Sequence, residues 1–277
     1  MGSESDAVTR KLLTLALFCL VGTAGFGSAG LVQQAAGGTA SNTFAAGGTL
    51  TTNAVGFPGN TTLHDHLFCV VWVRETGGSE IVGVGYSHIT VTTSGFSWAC
   101  LAATCSAASG FSDNLTAKKY GLTAIYEIQS AAVMSTSVTT TVTAVVPSSD
   151  DCTICELEFS LYEFSGVGSY VDLLGPPSND TGTATNPAET TLCTSSPCFM
   201  FFSLVGFPGS NLTAQSGWTL GENAATATIG QVVYNLALSG ATSAQFSGTL
   251  GLWGMYGAQY SLASPSSAVP RHRGFVN

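Results

Sequence analysis

The sequence predicts an all-β protein built as one antiparallel sandwich, jelly-roll or immunoglobulin-like, behind a single N-terminal hydrophobic helix. Three observations carry this. Two nearly uninterrupted apolar runs of strand length, HLFCVVWVR (66–74) and CFMFFSLV (198–205), sit among alternating segments such as ELEFSLYEF (156–164). The 33 glycines and many Ser and Thr residues punctuate the chain at turn-rich spacing. Outside the first 36 residues no window has a convincing helical period, and β-branched side chains crowd several stretches.

Residues 12–32, LLTLALFCLVGTAGFGSAGLV, contain no charge and follow Arg10 and Lys11 directly. Basic, then apolar, then small is the order of a secretory signal, and the run is also long enough to span a bilayer. Cleaved signal and retained anchor both place the remainder outside the cytoplasm, tied to a membrane only through this segment. Residues 1–36 are therefore assigned to a signal or anchor with its linker, 37–263 to the sandwich and 264–277 to a tail. The small, polar stretch 33–42 reads as linker.

Strands are expected from Thr43, then at 66–74, 80–84, 88–93 and 95–102, with Pro58-Gly59 and Gly77-Gly78 as turns. Residues 121–129 and 135–146 (STSVTTTVTAVV) follow, the latter too Thr- and Val-rich for a helix. In 156–164, Leu157, Phe159 and Leu161 share one face, with Glu156, Glu158 and Tyr162 on the other. The Gly-, Pro- and Asn-rich stretch 166–191 reads as a long loop with an apolar patch at 171–174. Strands at 198–205, 217–220, 225–229, 232–238, 244–250 and 252–260 complete the sheet. VGFPG occurs at 55–59 and again at 205–209, which as a turn pentapeptide does not establish a duplication.

Composition narrows function. Hydrophobic residues form 45% of the chain, enough for a large core, while charged residues are only 8%, against about 25% in typical domains. Ser, Thr, Asn and Gly must cover the surface. Net charge is −9, and of seven basic residues only Arg74, Lys118 and Lys119 lie away from the ends. No basic stripe exists to displace counterions from nucleic acid.

Eight cysteines are present, one of them, Cys19, inside the apolar segment. Six form local pairs, Cys100/Cys105, Cys152/Cys155 and Cys193/Cys198, read as disulfides that pin hairpins or loop ends in an oxidising compartment. Cys69 lies in the apolar run and reads as a buried thiol. Asn60, Asn114, Asn179 and Asn211 head Asn-x-Ser/Thr sequons, the glycosylation candidates.

No nucleophile elbow, phosphate loop or other catalytic signature occurs, and no enzyme is read from the chain. His64 and His66 would share a strand face and could hold a metal, with His88 as third ligand if its strand were adjacent. Against this stands a simple polar entry to a buried strand. Glu156 and Glu158, with Glu163 of opposite parity, are the carboxylates a glycosidase would need, and a solvated face is the simpler reading. Asp150-Asp151 leaves calcium open in a loop; no other cofactor is implied. Trp98, Trp218, Trp253 and Tyr256 could line a sugar platform, although rings usually serve the core.

The pieces NTFAAGG (42–48), LFCVVWV (67–73), SVTTTVTAVV (137–146), YEFSGV (162–167) and CFMFFSLVGF (198–207) resemble, in order, a loose group of exported or phage-borne β-sandwich domains of unknown function. NTFAAGGTL soon after an export segment is also similar to camelysin-like biofilm-fibre subunits. These resemblances imply a surface, adhesive or fibre-forming role, with self-association or contacts to other surface proteins and glycans. The leading expectation is a self-assembling fibre, pilus-like or virion-surface subunit that donates residues 33–50 as a strand. A cell-surface carbohydrate-binding module is the alternative.

Overall fold

A computed structural model of the chain describes residues 28–77, 88–101, 110–113, 119–129, 131–148, 152–174, 178–179, 184–185, 188–193, 197–206, 213–221, 230–239, 241–247, 249–250 and 252–263. The expected N-terminal helix lies outside these residues up to position 27. Among the described residues there is no α-helix, and none is long and apolar enough to cross a membrane.

The architecture is three antiparallel sheets stacked face to face. The central sheet runs β1(Gly30–Phe44), β9(Cys152–Ser165), β3(His66–Gly77), β7(Lys119–Ile128), β5(Ala99–Cys100), with β6(Gly110–Asp113) also on β7. On one side lies a three-stranded sheet, β2(Gly48–Thr51), β8(Thr140–Val146), β4(Ile89–Thr93). On the other lies a sheet ordered β10(Val167–Leu174), β20(Trp253–Leu262), β14(Cys198–Gly206), β17(Gly230–Leu238), β16(Thr219–Leu220), with β11(Ser178–Asn179) on β20. Short ladders join β12(Ala184–Thr185) to β19(Thr249–Leu250), and β13(Ala188–Leu192) through β18(Ala241–Ser247) to β15(Thr213–Ala214).

The stacking explains the unbroken apolar runs. A strand buried on both faces has no polar side to present. In β3, Leu67, Cys69, Val71 and Val73 pack with Leu122, Ala124, Leu157, Phe159 and Leu161 against Leu50, Ile89, Val142 and Ala144 of the three-stranded sheet. Phe68, Val70 and Trp72 point the other way, into Phe199, Phe201, Val232, Tyr256 and Tyr260. The rings of Phe68 and Phe201 stack with centroids 4.7 Å apart. The outer face of β14 forms a third cluster with Met200, Phe202, Leu204, Trp218 and Trp253.

Backbone approach is close where the sheets meet. A Cβ on Gly230 would lie 2.0 Å from Trp72 Cδ1, so only glycine fits under that indole. Trp72 Nε1 donates to Ser203 Oγ at 2.8 Å, and Thr123 Oγ1 bonds the same hydroxyl at 2.5 Å. All three residues are fully buried. The polar pin joins the central sheet to β14 without leaving the indole N–H unpaired.

Several expectations are corrected. The supposed linker 33–42 lies within β1, which starts before the assigned boundary at 37 and takes residues 30–32 from the expected helix. It pairs with β9 along its length, from Gly30 opposite Ser165 to Phe44 opposite Cys152. Pairing to a neighbour needs only main-chain groups, so a polar composition did not forbid a strand here. The strand expected over 135–146 begins at Thr140: Val138 N bonds Ser135 O in a turn, and Met134 N and Thr136 N donate to Thr61 Oγ1 and Asn60 Oδ1. The stretch 166–191, read as a loop, contains β10, β11, β12 and β13. The Glu156/Glu158 face is not solvated, because it lies on the side of the central sheet that meets β14 and β20. Glu158 and Tyr162 are both buried.

Candidate functional site

Consecutive residues of a strand point to opposite faces. At the start of β3 this sends Asp65 and His66 into two separate polar clusters, which lie against opposite layers of the stack.

His66 turns toward the β14–β20 layer. Its Nε2 lies 2.9 Å from Glu127 Oε2 of β7, and Tyr260 Oη of β20 donates to the same oxygen at 2.6 Å. Gln129 Nε2 donates to Glu127 Oε1 at 2.8 Å. The His66 ring stacks on Phe68, with centroids 4.7 Å apart, and meets Tyr260 edge-on. Burial opposes ionisation of Glu127, but hydrogen bonds from His66, Tyr260 and Gln129 outweigh it and hold the carboxyl below its ordinary 4.5. Burial, then the charge of Glu127, pushes the Tyr260 phenol well above its usual range. The hydrogen bonds around Glu127 come from a histidine, a tyrosine and a glutamine. Their arrangement is that of a clamp between two sheets.

Asp65 turns toward the other layer, with Glu163 of β9. Glu163 is fully buried and its two oxygens accept from Thr62 N and from Gln33 Nε2 of β1, each at 2.5 Å. The Gln33 amide is held on both sides: Nε2 also donates to Gly59 O at 3.2 Å, while Oε1 accepts from Gly59 N at 2.8 Å. Asp65 is 8% exposed, and its Oδ2 is buried without a hydrogen-bond partner. Burial, and then the neighbouring Glu163 carboxylate, raises the Asp65 carboxyl from 3.8 to about 6.

The chain matches no family model, no curated protein and no solved structure. The resemblances carried by NTFAAGG and the later pieces therefore remain expectations.

The residues singled out in the sequence fall as follows. His64 is exposed in a turn with φ of 72°, before β3 begins at His66, so the two histidines do not share a strand face. His88 is exposed just ahead of β4, which pairs with β8 in another sheet and not with β3. The three-histidine arrangement is thus not assembled. Among the described residues no group of three or more His, Cys, Asp or Glu is arranged to hold a metal. Asp150 and Asp151 lie outside the described residues.

Cys152–Cys155 and Cys193–Cys198 are disulfide-bonded, with Cα separations of 5.7 and 6.0 Å. The first lies within the opening residues of β9 rather than across a hairpin; the second closes the connection from β13 to β14. Cys100 is also disulfide-bonded, and Cys105 lies outside the described residues. Cys69 is a free buried thiol, raised by burial. The disulfides fit an oxidising compartment.

Asn60 is exposed in the loop before β3, and Asn179 lies in β11; Asn114 and Asn211 are outside the described residues. Trp218, Trp253 and Tyr256 are buried, so they cannot form the sugar platform considered for them. Trp98 is half-buried, with Nε1 donating to Thr93 Oγ1 at 2.8 Å. Glu156 accepts from Arg74 Nε at 2.5 Å and is engaged in that ion pair.

Sequence reasoning gave Asp65, between His64 and His66, and Gln33 no role of their own and assigned Glu163 only a parity. Asp-His at the mouth of an apolar run was visible, but which carboxylate it would meet depended on the register of β9 against β3.

Proposed function

We propose that the chain is an extracellular structural or adhesive surface subunit, a jelly-roll- or immunoglobulin-like sandwich that assembles by passing β1 to a neighbouring copy. The single observation carrying this is the position and make-up of β1. It is the first described strand, lies at an edge of the central sheet and, among the described residues, pairs with no strand except β9. Its side chains are mostly half-buried or exposed, and its register against β9 shifts three times. Such a strand gains its hold chiefly from main-chain hydrogen bonds and a few side-chain pins, which a copy of itself reproduces in a neighbour.

The site beside it supports the same reading. Gln33 anchors β1 to the 59–62 loop and to Glu163, a local lock that would form identically in an exchanged pair. The uncharged, Thr-rich surface, the disulfides and the expected export segment are consistent with service outside the cytoplasm. Burial of Trp218, Trp253 and Tyr256 leaves a carbohydrate-binding module only the half-buried Trp98 among the rings considered for it.

Negative-stain electron microscopy of the chain purified from an oxidising compartment tests the reading. Ordered filaments or sheets are expected. Dispersed monomers at every concentration would refute it.

A further inference from the structure

Ahead of β3, a chain of side-chain contacts runs from a hydroxyl to a carboxamide. The Thr62 side chain is hydrogen-bonded to Asp65, and Asp65 to Glu163. Glu163 Oε2 accepts from Gln33 Nε2 at 2.5 Å, and its Oε1 accepts from the Thr62 backbone N–H at 2.5 Å. One carboxylate therefore holds the hydroxyl-bearing residue beside the carboxamide. Gly59 N donates to Gln33 Oε1 at 2.8 Å, which polarises the amide carbonyl. Asp65 and Glu163 are more than nine-tenths buried, whereas Thr62 is exposed. Asp65 Oδ2 is buried with no hydrogen-bond partner, which leaves it capacity to take a proton. The neighbouring hydroxyl of Thr61 is turned elsewhere and accepts from Met134 N. A hydroxyl with an acceptor beside it, an acid at the departing nitrogen and a donor on the carbonyl oxygen are the groups that acyl transfer requires.

We propose that the protein joins Thr62 to Gln33 through a side-chain ester that it forms on itself. Thr62 Oγ1 attacks Gln33 Cδ as its proton passes to Asp65. The Gly59 N–H holds the charge that develops on Gln33 Oε1. Asp65 yields a proton to Glu163, and Glu163 delivers it to Nε2, which leaves as ammonia. One C–O bond forms and one C–N bond breaks; no electrons are exchanged and no co-reactant is consumed. Holding both partners on one carboxylate supplies the proximity that makes an amide open to a hydroxyl. Gln33 lies on β1 and Thr62 in the loop before β3. The bond fastens β1 to the loop of its own chain or, where β1 has been exchanged, to that of the neighbour. It forms in either case, so it does not depend on exchange.

The test is intact-mass spectrometry of the full chain, followed over time after refolding from denaturant, with peptide mapping of the product. The wild type should become lighter by one ammonia. The peptides holding Gln33 and Thr62 should be joined, and hydroxylamine, which cleaves esters, should separate them. Protein of unshifted mass, taken early, is the unlinked chain whose pH response the carboxyl pair sets. Thr62→Ser keeps a hydroxyl and should lose ammonia as well. Thr62→Val, which keeps the shape at an exposed position, should retain its full mass. A wild type that keeps its full mass would overturn the proposal. Loss of ammonia from Thr62→Val equal to that of the wild type would overturn it too, by placing the reaction elsewhere.

Discussion

Asp65→Asn should make the protein more stable at neutral pH and less sensitive to pH. The Asp65 carboxyl is raised from 3.8 to about 6 by burial and by Glu163. Between those values the folded state binds more protons than the unfolded one, so stability falls as pH rises, and the full penalty is present above about 6. Two units correspond to at most about 3 kcal/mol. For a chain of this size each kcal/mol moves Tm by about 2–4 °C, an upper bound near 12 °C. The amide removes the charge and can donate a hydrogen bond to the neighbouring Glu163 carboxylate. The assay is a series of thermal melts from pH 4.5 to 7.5, followed by circular dichroism. Wild-type Tm, corrected for the general pH trend seen in the variant, should decline across pH 4.5–6.5, and the variant should exceed it most at pH 7.5. A variant equal to or less stable than wild type at pH 7.5 would refute the reasoning.

Other perturbations have defined outcomes. Glu127 has a lowered pKa, so its contribution is present above about 4.5 and is lost as pH falls through the folded value; Tyr260→Phe should cost about 1–3 kcal/mol in urea unfolding at pH 7 by stripping a buried hydrogen bond, and the loss should shrink in acid. Gly37→Ala places a Cβ 1.4 Å from Phe159 O, so β1 must lift from β9, and amide exchange should rise selectively over 30–44 while β3 and β7 stay protected. Ser203→Ala leaves the Trp72 indole N–H without its acceptor and should cost about 1–3 kcal/mol, with a shift in tryptophan fluorescence.

The core was legible because hydrophobic period is a local property. The runs at 66–74 and 198–205 became β3 and β14, each covered on both faces, and 156–164 lies within β9. What escaped were features set by partners distant in sequence. β1 carries little apolar signal, and its strand character comes from β9, some 120 residues away. Trp218 and Trp253 looked available for a ligand, but a third cluster outside β14 takes them. Nothing near Asp65 in the sequence identifies Glu163, whose position follows from Leu67 pairing with it. Asn60 and Thr61 were legible as a sequon, while their service to Met134 and Thr136 was not.

Strand exchange by β1 is tested most directly by fastening that strand to its own chain. Gly30 lies opposite Ser165 in the ladder, and a Cβ on Gly30 would stand 3.3 Å from Ser165 Oγ. Gly30→Cys with Ser165→Cys therefore places two thiols at a spacing a disulfide spans. Assembly of this double variant, oxidised under conditions where the wild type assembles, would be followed by light scattering and electron microscopy. The account expects the locked protein to stay monomeric while each single variant assembles as the wild type does. Filaments from the locked protein, with the bond verified by mass spectrometry, would contradict it.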